Sequence, residues 1–142
     1  MTENVVCVDA NLLVRLVSSK PSESRFEELW NQWQESGDRI VAPPLIYYEV
    51  SNALHRSTVA GQLLPEQAEQ ALEDAFSLDI TLYGDLAMHR RALNLASSLR
   101  LPATYDAHYL ALSEQLSAQF WTADRRLFRA VQATFDWVHL VE

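Results

Sequence analysis

Residues 101–127 read LPATYDAHYLALSEQLSAQFWTADRRL, and they predict a helix, a strand and a second helix in direct succession. Apolar residues at helical spacing indicate a helix that begins close to Asp106 and ends near residue 116. The run 119–122, QFWT, is typical of a short buried strand, and Asp124 then stands where the next helix begins. Two carboxylates are therefore expected at two successive helix starts.

Helix capping by itself explains each of these two acids, since Asp is among the commonest N-caps and its charge suits the helix dipole. Two further acids make a shared site a reasonable expectation. Asp9 directly follows the apolar run 4–8, NVVCV, which is typical of a central parallel strand. The carboxyl ends of parallel strands meet at one edge of a sheet, where ligands usually bind.

Glu49 is the fourth acid, and it falls inside the apolar stripe of a helix that follows Pro43 and Pro44. A buried carboxylate needs a partner, yet the neighbouring positions on this helix carry no basic side chain. Arg56 lies two turns further on, roughly 10 Å along the axis, which is too far for a direct pair. Either a basic residue from another element or a metal ion would satisfy Glu49.

The whole chain alternates strands with helices, which predicts an α/β three-layer sandwich with a central, largely parallel sheet. We expect residues 1–142 to form one domain. Strands are predicted at 4–8, 39–42, 80–82, 119–122 and 137–141; helices are predicted from Asp9 to Pro21 and at 22–36, 45–54, 65–78, 85–99, 106–116 and from Asp124 onward. The same periodicity predicts that Phe76, Leu86, Leu93, Ala96 and Leu99 face the core.

Composition restricts the class of protein. With 49% hydrophobic and 21% charged residues the chain is typical of a globular domain, and the single cysteine, Cys7, suits a reducing cytoplasm. No signal peptide or membrane span is expected. A net charge of -8 argues against a passive basic grip on nucleic acid. It does not exclude nucleic acid, because acids gathered at one site would hold a cation.

Four converging carboxylates predict a site for Mg²⁺ or Mn²⁺, since hard ions prefer oxygen ligands. Such an ion supplies what phosphodiester hydrolysis requires. Zinc is not expected, because no His or Cys pair falls at ligand spacing, and the sequence has no glycine-rich phosphate loop or nucleophile elbow. The four histidines show no suggestive spacing for metal-free RNA cleavage.

Four segments resemble the successive motifs of the PIN domain family, and look most similar to its VapC-type ribonuclease toxins. In chain order they are VVCVDANLLVRLV, PPLIYYEVSNALHR, LPATYDAHYLALSEQL and FWTADRRLF. The most specific part is YDAHYLALSE followed by TADRRLF. By this resemblance the acidic quartet is Asp9, Glu49, Asp106 and Asp124. Thr122 matches the hydroxyl residue of the last motif, and Asn11 matches a polar position beside the first acid.

The resemblance implies a Mg²⁺- or Mn²⁺-dependent endoribonuclease that leaves a 5′-phosphate and a 3′-hydroxyl. It further implies a homodimer and a cognate antitoxin that occupies the acidic site. In these terms Asp9, Glu49 and Asp106 ligate the metal, Asp124 ligates a metal or its water, and Thr122 orients a ligand or a phosphate.

Three alternatives stay open at this point. One is a catalytically silent PIN-like binding module, and another is a DNA-directed nuclease of the same fold. The third, a phospho-accepting receiver domain, would need a late lysine, whereas the sequence contains only Lys20. For contacts with nucleic-acid phosphates we expect Arg15, Arg125, Arg126 and Arg129.

Overall fold

The computed structural model describes residues 4–18 and 25–142. Its strands are β1 (Val5–Val8), β2 (Arg39–Ala42), β3 (Thr81–Leu82), β4 (Gln119–Thr122) and β5 (Val138–Leu140). Its helices are α1 (Ala10–Ser18), α2 (Arg25–Glu35), α3 (Leu45–Val59), α4 (Pro65–Ser77), α5 (Leu86–Ser98), α6 (Tyr105–Leu116) and α7 (Arg125–Val131).

The five strands form one sheet in the order β3-β2-β1-β4-β5, and every pairing is parallel. Strand β1 lies at the centre because its side chains are apolar on both faces, and Cys7 and Val8 are fully buried. Helices α1, α3 and α4 pack on one another, and α5 packs on α6. The predicted α/β class with a parallel sheet is confirmed.

The order of the strands creates a switch point between β1 and β4. From β1 the chain proceeds outward through β2 to β3, and it later returns to place β4 on the other side of β1. Val8 pairs with Trp121, so the next residues, Asp9 and Thr122, lie side by side at the carboxyl edge of the sheet. Ligands of parallel sheets bind at such a crevice.

Local sequence signals explain most element boundaries. Gly37 adopts a φ of 70° just after α2, and Asp85 caps α5 by accepting the Met88 N–H. Asp124 caps α7, as predicted. The expected helix start at residue 22 and the expected break at Pro21 lie outside the described residues.

The predicted inward face of α5 was partly wrong. Leu86 and Leu93 are 86% and 59% exposed, whereas Met88, Ala92 and Leu95 are buried. At 100° per residue the two leucines lie on the side of the helix opposite to this buried stripe. The prediction assigned them to the core because they are apolar, and that assignment was wrong. Phe76 was also expected in the core, but it is half exposed and meets Tyr47 edge-on.

No helix in the described part of the chain is long and apolar enough to span a membrane.

The two faces of α5 offer a matched test of the core. We expect Leu95→Ala to lower the free energy of unfolding by about 2–5 kcal/mol, because it opens a cavity among buried side chains. Leu86→Ala, at an exposed position of the same helix, should change it by less than about 0.5 kcal/mol. Denaturant titration measures both values, and equal losses would contradict this fold.

Candidate active site

The four predicted acids come together in the structure. Asp9, Glu49, Asp106 and Asp124 all line one cleft of about 290 Å³ at the carboxyl edge of the sheet. The cleft is also lined by Asn11, Val14, Ala53, Arg56 and Tyr109. Strand ends and helix starts supply the acids, as the topology requires, since Asp9 follows β1 and Asp124 follows β4.

Asp9 is the most buried of the four, with 4% of its surface exposed. One carboxylate oxygen accepts the Leu12 N–H at 2.9 Å, and the other accepts the hydroxyl of Thr122. Burial, with a smaller contribution from the charges of Asp106 and Asp124, raises the pKa of Asp9 to about 7, although the hydrogen bonds from Thr122 and Leu12 partly oppose the rise. The hydrogen bonds of Asp9 thus offset only part of the cost of burying its negative charge.

Thr122 links two of the acids. Its fully buried hydroxyl donates to Asp9 and accepts the backbone N–H of Asp124 at 2.9 Å. One oxygen of Asp124 in turn accepts the N–H groups of Arg126 and Leu127 at the start of α7. Capping therefore uses one oxygen of Asp124, and its other oxygen makes no hydrogen bond within the described residues.

Tyr109 supplies a partner for Glu49 that is neither a basic side chain nor a metal ion. Its hydroxyl donates to Glu49 at 2.6 Å, and within residues 4–18 and 25–142 no basic side chain forms an ion pair with this acid. Burial and the nearby Glu49 raise the pKa of Tyr109, so the hydroxyl keeps its proton. Nothing in the sequence pointed to a contact between Tyr109 and Glu49, which are 60 residues apart.

Asp106 stands in the first turn of α6, as predicted, and is half-buried. Among the described residues it has no hydrogen-bond or ion-pair partner. Burial raises the pKa of Asp106 to about 6, and the charges of Asp124 and Glu49 add to the rise. Its two oxygens are therefore available to a ligand in the cleft.

The donor set fits a hard divalent cation. The acids supply only oxygen ligands, and burial and neighbouring carboxylates raise the pKa values of Asp9 and Asp106. In the part of the chain that the structure describes, no three His, Cys, Asp or Glu side chains are already grouped closely enough to hold a metal ion. The role of the four acids as metal ligands stays a prediction.

The four arginines expected to contact phosphates lie outside the cleft lining, and their phosphate contacts stay a prediction. None of Arg15, Arg125, Arg126 and Arg129 lines the cleft, and all four are exposed. Arg15 lies over the ring of Phe26. The cleft instead contains Arg56, which sequence reasoning had considered only as a partner for Glu49.

Two histidines that showed no suggestive spacing also meet. His89 on α5 and His108 on α6 approach to 2.9 Å between ring nitrogens, and His108 contacts the Thr104 carbonyl at 2.7 Å. The pair lies on the wall of a separate, largely apolar pocket. Sequence spacing could not reveal it, because the two residues are 19 positions apart on different helices.

The sequence matches the PIN domain family over residues 6–133, and the chain belongs to this family. Ribonuclease VapC9 of Mycobacterium tuberculosis is 30% identical over 98 residues, which cover 69% of this chain and 75% of the relative. Ribonuclease VapC3 of Pyrobaculum aerophilum is 28% identical over 124 residues, or 84% of this chain and 89% of the relative.

Solved structures share the fold. PAE2754 from Pyrobaculum aerophilum has a TM-score of 0.69 at 22% identity and covers 94% of this chain and 91% of its own. A toxin–antitoxin complex from Klebsiella pneumoniae has a TM-score of 0.64 at 16% identity, with 94% of each chain covered. At these identities the likeness concerns the fold alone.

Raised carboxylate pKa values predict how stability depends on pH without metal. Between 3.8 and about 7, the folded protein holds protons on Asp9 and Asp106 that the unfolded chain has released. The free energy of unfolding in chelator should therefore fall as pH rises through this range. Asp106→Asn should recover about 1 kcal/mol at about pH 8, after allowance for solvent screening.

Denaturant titrations at about pH 5 and about pH 8 measure this effect. The exposed Asp79→Asn serves as the control and should leave the pH dependence unchanged. If Asp106→Asn is no more stable than the wild type at the higher pH, the charge of Asp106 in this half-buried, acidic position does not destabilise the metal-free fold.

Thr122 should contribute to stability through its hydroxyl. Thr122→Val keeps the shape but leaves one oxygen of Asp9 and the Asp124 N–H without their partner, so we expect a loss of about 1–3 kcal/mol. Thr122→Ser keeps the hydroxyl and should lose only about 1 kcal/mol for the missing methyl group. Chemical denaturation compares the two, and a valine variant as stable as the serine variant would refute this role.

Proposed function

We propose that this protein is a Mg²⁺- or Mn²⁺-dependent endoribonuclease that hydrolyses RNA phosphodiester bonds as the toxin of a toxin–antitoxin pair. The observation that carries the proposal is the cleft that Asp9, Glu49, Asp106 and Asp124 line together in a PIN domain. Relatives that match most of the chain are named VapC ribonucleases, which supports RNA as the substrate class. In this proposal residues 1–142 act as one nuclease domain.

Asp9, Glu49 and Asp106 would hold the divalent ion, and the free oxygen of Asp124 would face the ion or its water. When bound, such an ion supplies charge neutralisation and polarisation at the phosphoryl group and a more acidic water. The acids need it for a physical reason: four carboxylates in one cleft repel one another and repel the phosphate that must enter.

The neighbouring residues would fix the ligand oxygens. Thr122 holds one oxygen of Asp9, and Tyr109 holds one oxygen of Glu49, so each carboxylate has a defined orientation. The cap of α7 fixes Asp124 in the same way. Such outer contacts normally set the geometry and affinity of a metal site. Thr122 is therefore proposed as a positioning residue.

A cognate antitoxin, a homodimer and a cytoplasmic location complete the proposal. The Klebsiella neighbour is itself a toxin–antitoxin complex, which supports a protein inhibitor. Large apolar side chains lie on the surface, with Tyr48 76% and Leu86 86% exposed, and surfaces of this kind favour protein contacts. Light scattering of the purified chain, alone and with the product of an adjacent antitoxin gene, tests the assembly.

The experiment for the activity is cleavage of mixed structured RNAs by the purified chain with Mg²⁺, with Mn²⁺ or with chelator. We expect cleavage only with metal, with 5′-phosphate ends, and a loss of at least about 100-fold in Asp9→Asn and in Glu49→Gln. Single-stranded DNA of the same sequence runs beside the RNA, so that a DNA-directed nuclease is recognised.

Glu73→Gln is the matched control, because it removes an exposed acid of α4 that does not line the cleft. It should cut like the wild type. Circular dichroism confirms that each variant is folded. Cleavage that persists in chelator, or that survives in folded Glu49→Gln, would refute the metal-dependent mechanism. A folded wild type that binds an antitoxin and cuts nothing would favour the silent binding module.

A further inference from the structure

Arg56 occupies a distinct position in the cleft. On α3 the cleft is lined by Glu49, Ala53 and Arg56, at intervals of four and three residues. These intervals place the three side chains on one face of the helix, with Arg56 about 10 Å along the axis from Glu49. Ala53 lies between them and is small, so the floor of the cleft stays open from the acids to the guanidinium.

Arg56 does not neutralise the acids of the cleft. The ion pair found within the described residues joins Arg91 to Glu114, at 2.7 Å, and Arg56 forms none there despite four carboxylates in the same cleft. The side chain is exposed. Helix α3 holds Arg56 two turns from Glu49, so the guanidinium is available to a ligand that enters the cleft.

The chemistry of Arg56 favours a phosphate. A guanidinium binds phosphate oxygens through two parallel hydrogen bonds and retains its charge at every physiological pH. A chain with a net charge of -8 has few places where a polyanion is attracted. Among the described residues that line this cleft, Arg56 is the one cation.

We propose that Arg56 forms a subsite for an RNA phosphate next to the one that is cut. The inference rests on the proposed function and extends it: the strand lies along α3, with the scissile phosphate at the carboxylates and a flanking phosphate on Arg56. Arg56 is thus a positioning residue that sets the direction and register of the strand. Arg125, Arg126 and Arg129, which lie outside the cleft lining, are not needed for this contact.

Binding of a fluorescein-labelled, mixed-sequence single-stranded RNA tests the subsite. Fluorescence anisotropy is measured with Mg²⁺ on the Asp106→Asn chain, in which cleavage is expected to be lost. Adding Arg56→Gln should weaken binding about tenfold and reduce the salt dependence by about 0.7 in the log–log slope. Arg56→Lys should keep the slope and lose only part of the affinity, because it keeps the charge without the paired donors.

Arg90→Gln, at an exposed position of α5 outside the cleft lining, is the matched control and should change the affinity by less than about twofold. A second readout uses RNAs with one methylphosphonate at successive positions. One such position should weaken binding to the parent chain and have no further effect once Arg56 is glutamine, since coupled groups are non-additive. A merely structural role would not produce this position-specific coupling.

The subsite is overturned if Arg56→Gln weakens binding no more than Arg90→Gln, or if no methylphosphonate position couples to Arg56. Its failure is distinguishable from that of the proposed function. If wild-type protein cuts RNA and binding ignores Arg56, only the subsite falls. If wild-type protein cuts no RNA while binding depends on Arg56 as described, the subsite stands and the ribonuclease activity falls.

Discussion

The hydrogen bond from Thr122 to Asp9 is the contact on which the candidate site depends. It joins the residues at the carboxyl ends of β1 and β4, the two strands that flank the switch point of the sheet. The parallel register of Val8 with Trp121 brings the two residues side by side, and the same hydroxyl accepts the N–H of Asp124. The Thr122 side chain therefore links strands β1 and β4, the cap of α7 and the orientation of Asp9 and Asp124.

Electrostatic conflict follows from this arrangement. Asp9 and Asp106 lie where burial and neighbouring carboxylates disfavour the charged form, and this raises the pKa of both acids. Hydrogen bonds from Thr122 and Tyr109 fix oxygens without supplying a positive charge. Perturbed carboxylate pKa values cluster at functional sites, so this conflict supports the proposed cation site.

Most of the fold could be read from the sequence because its signals are local. β2 and β4 have the predicted bounds, since short β-branched or aromatic runs end sharply at Pro43 and at the cap of α7. What could not be read depends on how separate elements pack. Neither the Tyr109–Glu49 bond nor the His89–His108 contact has a sequence signature, because each joins two helices, and Leu86 shows that apolar composition alone does not identify the buried face.

The charge of the chain also bears on the order of binding in the proposed function. With a net charge of -8 and four acids in the cleft, the metal-free site repels a phosphodiester. If RNA bound before the metal, its phosphates would place further negative charge beside carboxylates whose ionisation is already disfavoured. A divalent ion that enters first removes two charges from the same place. The affinities for metal and RNA are therefore coupled, and each ligand must strengthen the binding of the other by the same factor.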